Sequence, residues 1–239
     1  MAHRGKGKGG GARTGSRMLR EQVRTAAKRT PSSTRWLDRQ LNDPYVVEAR
    51  RLGLRSRAAF KLMQLDDRFH FLAPGQRVVD LGAAPGGWSQ VAAERIKAGS
   101  HRGGRVVGID VLEYAAIPHA IIIVRDFLDA EAPGLITEAL GGPADVVLSD
   151  MAAPTTGHAA TDHLRIVGLA ETALDFALTI LAPGGCFVAK VFQGGTEKTL
   201  LDLMKRHFAT VRHAKPAASR AESAETYVVA QGFRAARET

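Results

Sequence analysis

Arg77-Val-Val-Asp-Leu-Gly-Ala-Ala-Pro-Gly-Gly-Trp-Ser-Gln90 parses into three pieces. Residues 77–81 read as a short, largely apolar strand, residues 82–87 as a turn with almost no side chains, and a helix begins near Trp88. Such a turn folds tightly and lets a ligand lie against bare backbone, close to the N–H groups that open the following helix. A nucleotide-like ligand fits it. Gly82, Gly86 and Gly87 are spaced G-x-x-x-G-G, unlike the dinucleotide fingerprint, and Pro85 stiffens a position that the dinucleotide loop leaves free. Asp110 closes the next apolar run, residues 105–109, where a carboxylate can accept hydrogen bonds from both hydroxyls of a ribose. Turn and aspartate together point to an adenosine-bearing cofactor without a pyrophosphate; the plainer alternative is a glycine turn beside a solvated carboxylate.

Outward from this stretch, strand and helix patterns alternate. Strands are expected near 77–81, 105–110, 120–125, 145–150 and 186–192, with helices near 88–98, 131–140, 162–181 and 196–208. This alternation implies an α/β fold, a mostly parallel sheet with helices on both faces and its site at the carboxyl ends of the strands. Two last strands, 209–214 and 226–233, are separated by a loop too short for a crossover helix, so they should pair antiparallel at one edge of a seven-stranded sheet. Before the sheet, residues 33–72 read as helices: one capped by Ser33 or Thr34, a second starting at Asp43-Pro44, and a third over 57–69 that carries Lys61.

The chain has 239 residues, 45% of them apolar, enough for one substantial core and one domain with an appendage. No apolar run approaches the length of a membrane span, and a soluble, cytoplasmic protein is expected. Cys186 is the one cysteine, so no intrachain disulfide can form, and its place at the start of an apolar strand suits a buried structural thiol. His158 and His163 lack a metal-ligand pattern and read as ordinary loop or helix residues. The net charge is +9, and residues 1–40 alone hold eleven Lys or Arg against two acids. The whole excess therefore lies at the N-terminus, over a balanced body. Residues 1–32 combine glycine, arginine and lysine with almost no core-forming side chains, the composition of a disordered tail. It suits an arm that neutralises phosphates, or simply a solubilising segment. An Arg-rich, acid-poor N-terminus also suits an organellar transit peptide, although the glycine run opposes an amphipathic helix.

Three strand-end features could carry chemistry. Asp150 follows the run Asp145-Val-Val-Leu-Ser149, where a carboxylate faces the ligand crevice unless it merely caps a turn. Lys190 interrupts the apolar run 186–192, and a buried ammonium costs several kcal/mol unless it is paired or becomes neutral. A structural ion pair is the competing reading. Glu225 sits where a loop enters the final strand and can reach inward, whereas Glu222 reads as solvated; a helical Lys61, by itself, reads as a surface group.

Taken together, the motifs Leu54-Arg-Ser-Arg-Ala-Ala-Phe-Lys-Leu62, Asp80-Leu-Gly-Ala-Ala-Pro-Gly-Gly-Trp-Ser-Gln90, Ser149-Asp-Met151, Leu181-Ala-Pro-Gly-Gly185 leading to Lys190-Val-Phe-Gln-Gly194, and Glu225-Thr-Tyr-Val-Val-Ala230 resemble the FtsJ/RrmJ (RlmE) ribosomal RNA 2′-O-methyltransferases. The resemblance runs in order from about residue 36 to 232. It implies a Rossmann-like methyltransferase fold, S-adenosylmethionine as cofactor, and a Lys-Asp-Lys-Glu active site at Lys61, Asp150, Lys190 and Glu225. It also implies cofactor contacts at Gly86, Trp88, Asp110, Asp126 and Asp150, with Asp126 near the adenine. The implied substrate is a uridine ribose 2′-hydroxyl of 23S ribosomal RNA, met on an assembling large ribosomal subunit, by a monomer acting without a membrane. Departures touch the substrate side: Ala153 displaces the family's proline by one, the loop 155–161 lacks its usual asparagine, and the N-terminal tail is longer.

The implied chemistry is in-line attack of the 2′-oxygen on the sulfonium methyl, with Lys190 as general base. At a reference pKa of ~10.4 only about one lysine in 2,500 is neutral at pH 7. Burial, Lys61 and the cofactor's sulfonium favour the neutral amine, while Asp150 and Glu225 oppose it but hold the amines in line. No metal is needed, since the leaving thioether is neutral. A tRNA ribose methyltransferase would keep the same residues, and a non-catalytic RNA-binding assembly factor is the alternative of another class. Intact Lys190 and Glu225 weigh against the latter.

Overall fold

A computed structural model describes residues 30–154, 156–192 and 198–235. The chain divides into two units, Met1–Pro44 and Tyr45–Thr239. In the first, helix α1 spans Pro31–Asn42. Its cap is Thr30 rather than Ser33 or Thr34: the Thr30 hydroxyl accepts a hydrogen bond from the Ser33 N–H at 3.3 Å. Pro31, with no N–H to satisfy and φ already helical, starts the helix before the serines. The basic tail expected over 1–32 lies outside the described residues as far as residue 29, and its last two residues belong to this helix instead.

The second unit is an α/β sandwich. In chain order its elements are α2 (Pro44–Arg51), α3 (Ala58–Phe69), β1 (Arg77–Leu81), α4 (Gly87–Arg95), β2 (Arg105–Asp110), β3 (Ala120–Val124), α5 (Ala132–Leu140), β4 (Ala144–Ser149), α6 (Ala159–Ile180), β5 (Leu181–Phe192), α7 (Lys198–His207), β6 (Phe208–Ala214) and β7 (Glu225–Phe233). The seven strands lie in the order β3-β2-β1-β4-β5-β7-β6. Strands β1 to β5 are parallel, and the last two pair antiparallel at one edge, as their short connection requires. Within that pair β7 lies inward, antiparallel to β5 as well, which carries Glu225 into the sheet beside Lys190.

Alternation along the strands divides the core in two. Val79, Val107, Val147, Phe187 and Val228 face one layer with residues of α5, α6 and α7; Val78, Val106, Val146, Val188 and Val229 face the other with residues of α3 and α4. Strand β5 begins five residues earlier than its apolar run. Leu181 already pairs with Ala144, and residues 182–185 bulge out before pairing resumes at Cys186 and Val146. Cys186 is buried, and burial pushes its thiol to a higher pKa, which keeps it protonated and inert.

Strand order reverses between β1 and β4, so the chain leaves these two strands in opposite directions and opens a crevice at their carboxyl ends. The glycine turn enters there. Gly82 has φ +77°, and a Cβ on it would stand 2.9 Å from the Met151 Cα and 3.0 Å from the Met151 nitrogen. Glycine is thus required both for the left-handed backbone and for the close approach of the segment after β4. Gly82→Ala should destabilise the protein by about 1–3 kcal/mol, lowering the thermal midpoint by several degrees in a circular dichroism melt. An unchanged midpoint would show that the two segments are not held together here.

Candidate active site

At the mouth of this crevice five side chains close a ring. Lys61 comes from the first turn of α3, Asp150 from the residue after β4, Lys190 from β5, and Glu225 and Tyr227 from β7. The Lys61 ammonium donates to Glu225 Oε2 at 3.0 Å and to the Tyr227 hydroxyl at 3.0 Å. Tyr227 in turn donates to Asp150 Oδ1 at 2.8 Å. Lys190 Nζ lies 3.1 Å from the same Asp150 Oδ1 and 4.0 Å from Glu225 Oε1, and donates to the Asp150 carbonyl at 2.7 Å. The four residues expected at the active site are therefore linked in series, Lys61 to Glu225 to Lys190 to Asp150, with Tyr227 closing the circuit.

Backbone pairing sets this geometry. In the β5–β7 ladder Lys190 lies opposite Tyr227, and Phe192 opposite Glu225, so the β7 acid and hydroxyl arrive beside the lysine. Asp150 is held in place by its own N–H, which donates to the Leu81 carbonyl at 3.2 Å and so ties the tip of β4 to β1. The lysine side chains are 4% (Lys190) and 10% (Lys61) exposed, so neither charge is left to bulk water. Burial works against ionisation of Asp150, but the ammoniums of Lys190 and Lys61 and the Tyr227 hydroxyl outweigh it and hold the carboxyl below its ordinary value. Burial, then Asp150 and Glu225, push the Tyr227 phenol well up, so it stays a neutral donor.

The glycine turn adjoins the ring, with Gly82 close against Met151, the residue after Asp150, and the residues around it could hold a nucleoside. Gly86 has φ +102°, and a Cβ there would meet Ile117 and Tyr114 of the segment after β2. Asp110, at the tip of β2, accepts from the Ala84 N–H and the Leu112 N–H, each at 2.9 Å, one on each oxygen. Its carboxylate is thereby aimed and retains free lone pairs. Asp126 is exposed and accepts from the Leu128 N–H at 2.9 Å. Next to these acids in the chain, Val111 and Leu112 after Asp110 and Leu128 two residues after Asp126 stay exposed (60%, 63% and 59%), apolar side chains of the kind a flat aromatic base can rest on. Trp88 is 3% exposed, and its indole N–H donates to the Ala58 carbonyl at 2.9 Å. The ring is thus committed to packing against α3 and Tyr227, and what Trp88 can offer a ligand is its amide in the first turn of α4.

Beneath the turn, Asp80 is fully buried. Its Oδ2 accepts from the Ser89 hydroxyl at 2.6 Å, while Oδ1 finds no partner among the described residues. Burial pushes this carboxyl up to about 7; the Ser89 hydrogen bond resists, and the negative Asp150 and Asp110 add to the rise.

Nothing in the sequence singles out Tyr227, since an aromatic inside a strand reads as core. The available signal is its spacing of two from Glu225, which puts both on one face of β7. His158 precedes α6 and His163 lies within it, and among the described residues no three His, Cys, Asp or Glu are grouped to hold a metal ion.

Asp80 makes a pH-dependent contribution whose sign is fixed by its raised value. The folded state binds the proton more tightly than the unfolded chain, so the contribution is fully present below the ordinary carboxyl value and is lost as pH rises through about 7. In urea unfolding, the stability of the wild type relative to Asp80→Asn should decline by up to about 4 kcal/mol between pH 4 and 8. A difference that is flat across this range would mean that Asp80 ionises normally.

Residues 54–233 match the family model of the FtsJ-like methyltransferases. A Paramagnetospirillum magneticum protein named ribosomal RNA large subunit methyltransferase E is 67% identical, the match covering 98% of this chain and 96% of its own length. The protein of that name in Rhodospirillum rubrum is 62% identical, over 94% of this chain and 86% of its own. Among solved structures, a Plasmodium falciparum protein described as a ribosomal RNA methyltransferase superposes with a TM-score of 0.66 at 30% identity, covering 76% of this chain and all of its own. The chain belongs to the FtsJ-like methyltransferase family, and its cofactor is S-adenosylmethionine.

Proposed function

We propose that this protein methylates the ribose 2′-hydroxyl of a uridine in 23S ribosomal RNA, acting on the assembling large ribosomal subunit with Lys190 as general base. The observation that carries the reading is the ring itself. Two buried lysines and two carboxylates meet at the carboxyl end of the sheet, beside a glycine turn shaped for a nucleoside. The names of the relatives support the class of RNA.

Gly86, the Trp88 amide, Asp110, Asp126 and Asp150 would hold the S-adenosylmethionine. Bound there, the cofactor supplies a methyl group on a positively charged sulfur, an electrophile that needs no further activation. The chain's own task is to take one proton and to fix one oxygen. Lys190, in its amine form, accepts the proton of the 2′-hydroxyl as that oxygen becomes the nucleophile. Asp150 and Glu225 aim the amine, and afterwards they stabilise the ammonium. Lys61 keeps Glu225 from collapsing fully onto Lys190, since it binds the other carboxylate oxygen 1 Å closer than Lys190 binds its own. With both lysines protonated the ring is neutral; with Lys190 deprotonated it carries one negative charge, which complements a cationic sulfur.

The N-terminal excess of cationic residues suits contact with RNA phosphates, which positions the enzyme without reading sequence. None of the described helices is long and apolar enough to cross a membrane. Action in the cytoplasm, as a monomer, is part of the same proposal.

Labelled methyl transfer from S-adenosylmethionine should be measured to large subunits lacking the modification, to naked large-subunit RNA and to tRNA. Label on the subunits is expected; label on tRNA would keep the chemistry and overturn the substrate, and cofactor binding without label anywhere would favour an assembly factor. Deletion of residues 1–32 should weaken RNA binding and flatten its dependence on salt, by roughly 0.7–0.9 in slope for each phosphate that is no longer neutralised. An unchanged slope would make the tail a bystander.

A further inference from the structure

Phe192 is the last residue of β5, two beyond Lys190, and it lies directly opposite Glu225 in the ladder. Alternation puts it on the same strand face as Lys190, about 7 Å further along. It is half-buried, yet it joins neither of the two core clusters, whereas its neighbour Val191 is fully buried in one of them. Its ring partner is His163, from the second turn of α6, with centroids 6.3 Å apart and planes inclined by 31°. A single half-exposed aromatic is ordinary on a protein surface; what sets this one apart is its place, two residues beyond Lys190 on the same strand, with the His163 ring beside it.

We infer that Phe192, braced by His163, is the platform on which the target nucleobase stacks while its ribose is methylated. The inference rests on the reading of Lys190 as the base for a 2′-hydroxyl. In a nucleotide the base hangs from the carbon adjacent to the one bearing that hydroxyl. An oxygen presented to Lys190 therefore carries its base within reach of a ring two residues along the same strand. A base whose ribose enters the crevice leaves its own stack, and an aromatic face offsets part of that loss. Stacking of this kind is tolerant of base identity, so the platform holds the nucleotide in place and leaves selection to contacts elsewhere. It also gives a use to the His163–Phe192 pair, which takes no part in the Lys61–Asp150–Lys190–Glu225 ring.

The test uses the full-length enzyme, S-adenosylmethionine and unmethylated large ribosomal subunits. Phe192→Leu keeps an apolar side chain and removes the π face. It should lower kcat/KM for the subunits roughly 10- to 100-fold, the loss expected for one stacked base, with cofactor affinity unchanged. Phe192→Tyr should restore activity close to that of the wild type. His163→Ala should give a smaller loss, recovered by His163→Phe. A Phe192→Leu enzyme as active as the wild type would overturn the platform, and so would a parallel loss of cofactor binding throughout the series, which would make Phe192 a packing residue. Nucleoside analysis of the wild-type product separates this inference from the reading beneath it. Methyl on the base removes the Lys190 reading and the platform together, whereas methyl on the ribose with an active Phe192→Leu enzyme removes the platform alone.

Discussion

Lys190 puts an ammonium on a strand covered on both faces, and its contact with Asp150 is what makes that arrangement tolerable. Its nitrogen reaches both the carboxylate and the carbonyl of Asp150, with Glu225 at a longer distance. Breaking such a pair from one side leaves a buried charge and costs about 3–5 kcal/mol, whereas an apolar replacement of both partners would cost the fold little or nothing. A chain under selection for stability alone would have no use for two lysines and two acids at this position. Under the proposed function, chemistry at the crevice rather than the needs of the core accounts for them.

The remaining architecture serves to bring these groups together. Reversal of strand order between β1 and β4 opens the crevice, and Gly82 lets the segment carrying Asp150 cross close to the turn. Insertion of β7 between β5 and β6, antiparallel to both, delivers Glu225 and Tyr227 next to Lys190. Helix α3 packs on the same face and contributes Lys61 from its first turn. Four segments far apart in sequence thus supply one ring, and the buried Asp80 and Ser89 stiffen the turn from below.

Much of the parallel sheet was legible because its signals are local. The run 77–90 declares strand, turn and helix within fourteen residues, and the observed β1 and β2 begin and end where their apolar runs do. Lys190 was legible for the opposite reason, as a charge that breaks a pattern. What escaped depends on contacts that no local pattern encodes. The early start of β5 comes from Leu181 pairing with Ala144 across a bulge, although Ala182-Pro-Gly-Gly185 reads as a loop. Tyr227 looks like any strand aromatic until Lys61 and Asp150 are found on its hydroxyl. The Thr30 cap, by contrast, is written in the sequence as Thr-Pro, three to four residues ahead of the expected Ser33 or Thr34.

Lys190 is proposed to take the proton from the reacting hydroxyl. Single-turnover methyl transfer across a pH series, in the wild type and in Lys190→Ala, tests it most directly when cofactor affinity is measured in parallel. A wild-type rate that rises with pH is expected of a step that needs an unprotonated base, together with a variant slower by at least about 10²-fold, the usual contribution of a positioned base, that still binds S-adenosylmethionine. A Lys190→Ala enzyme that retains turnover, with the wild type's pH profile, would contradict it.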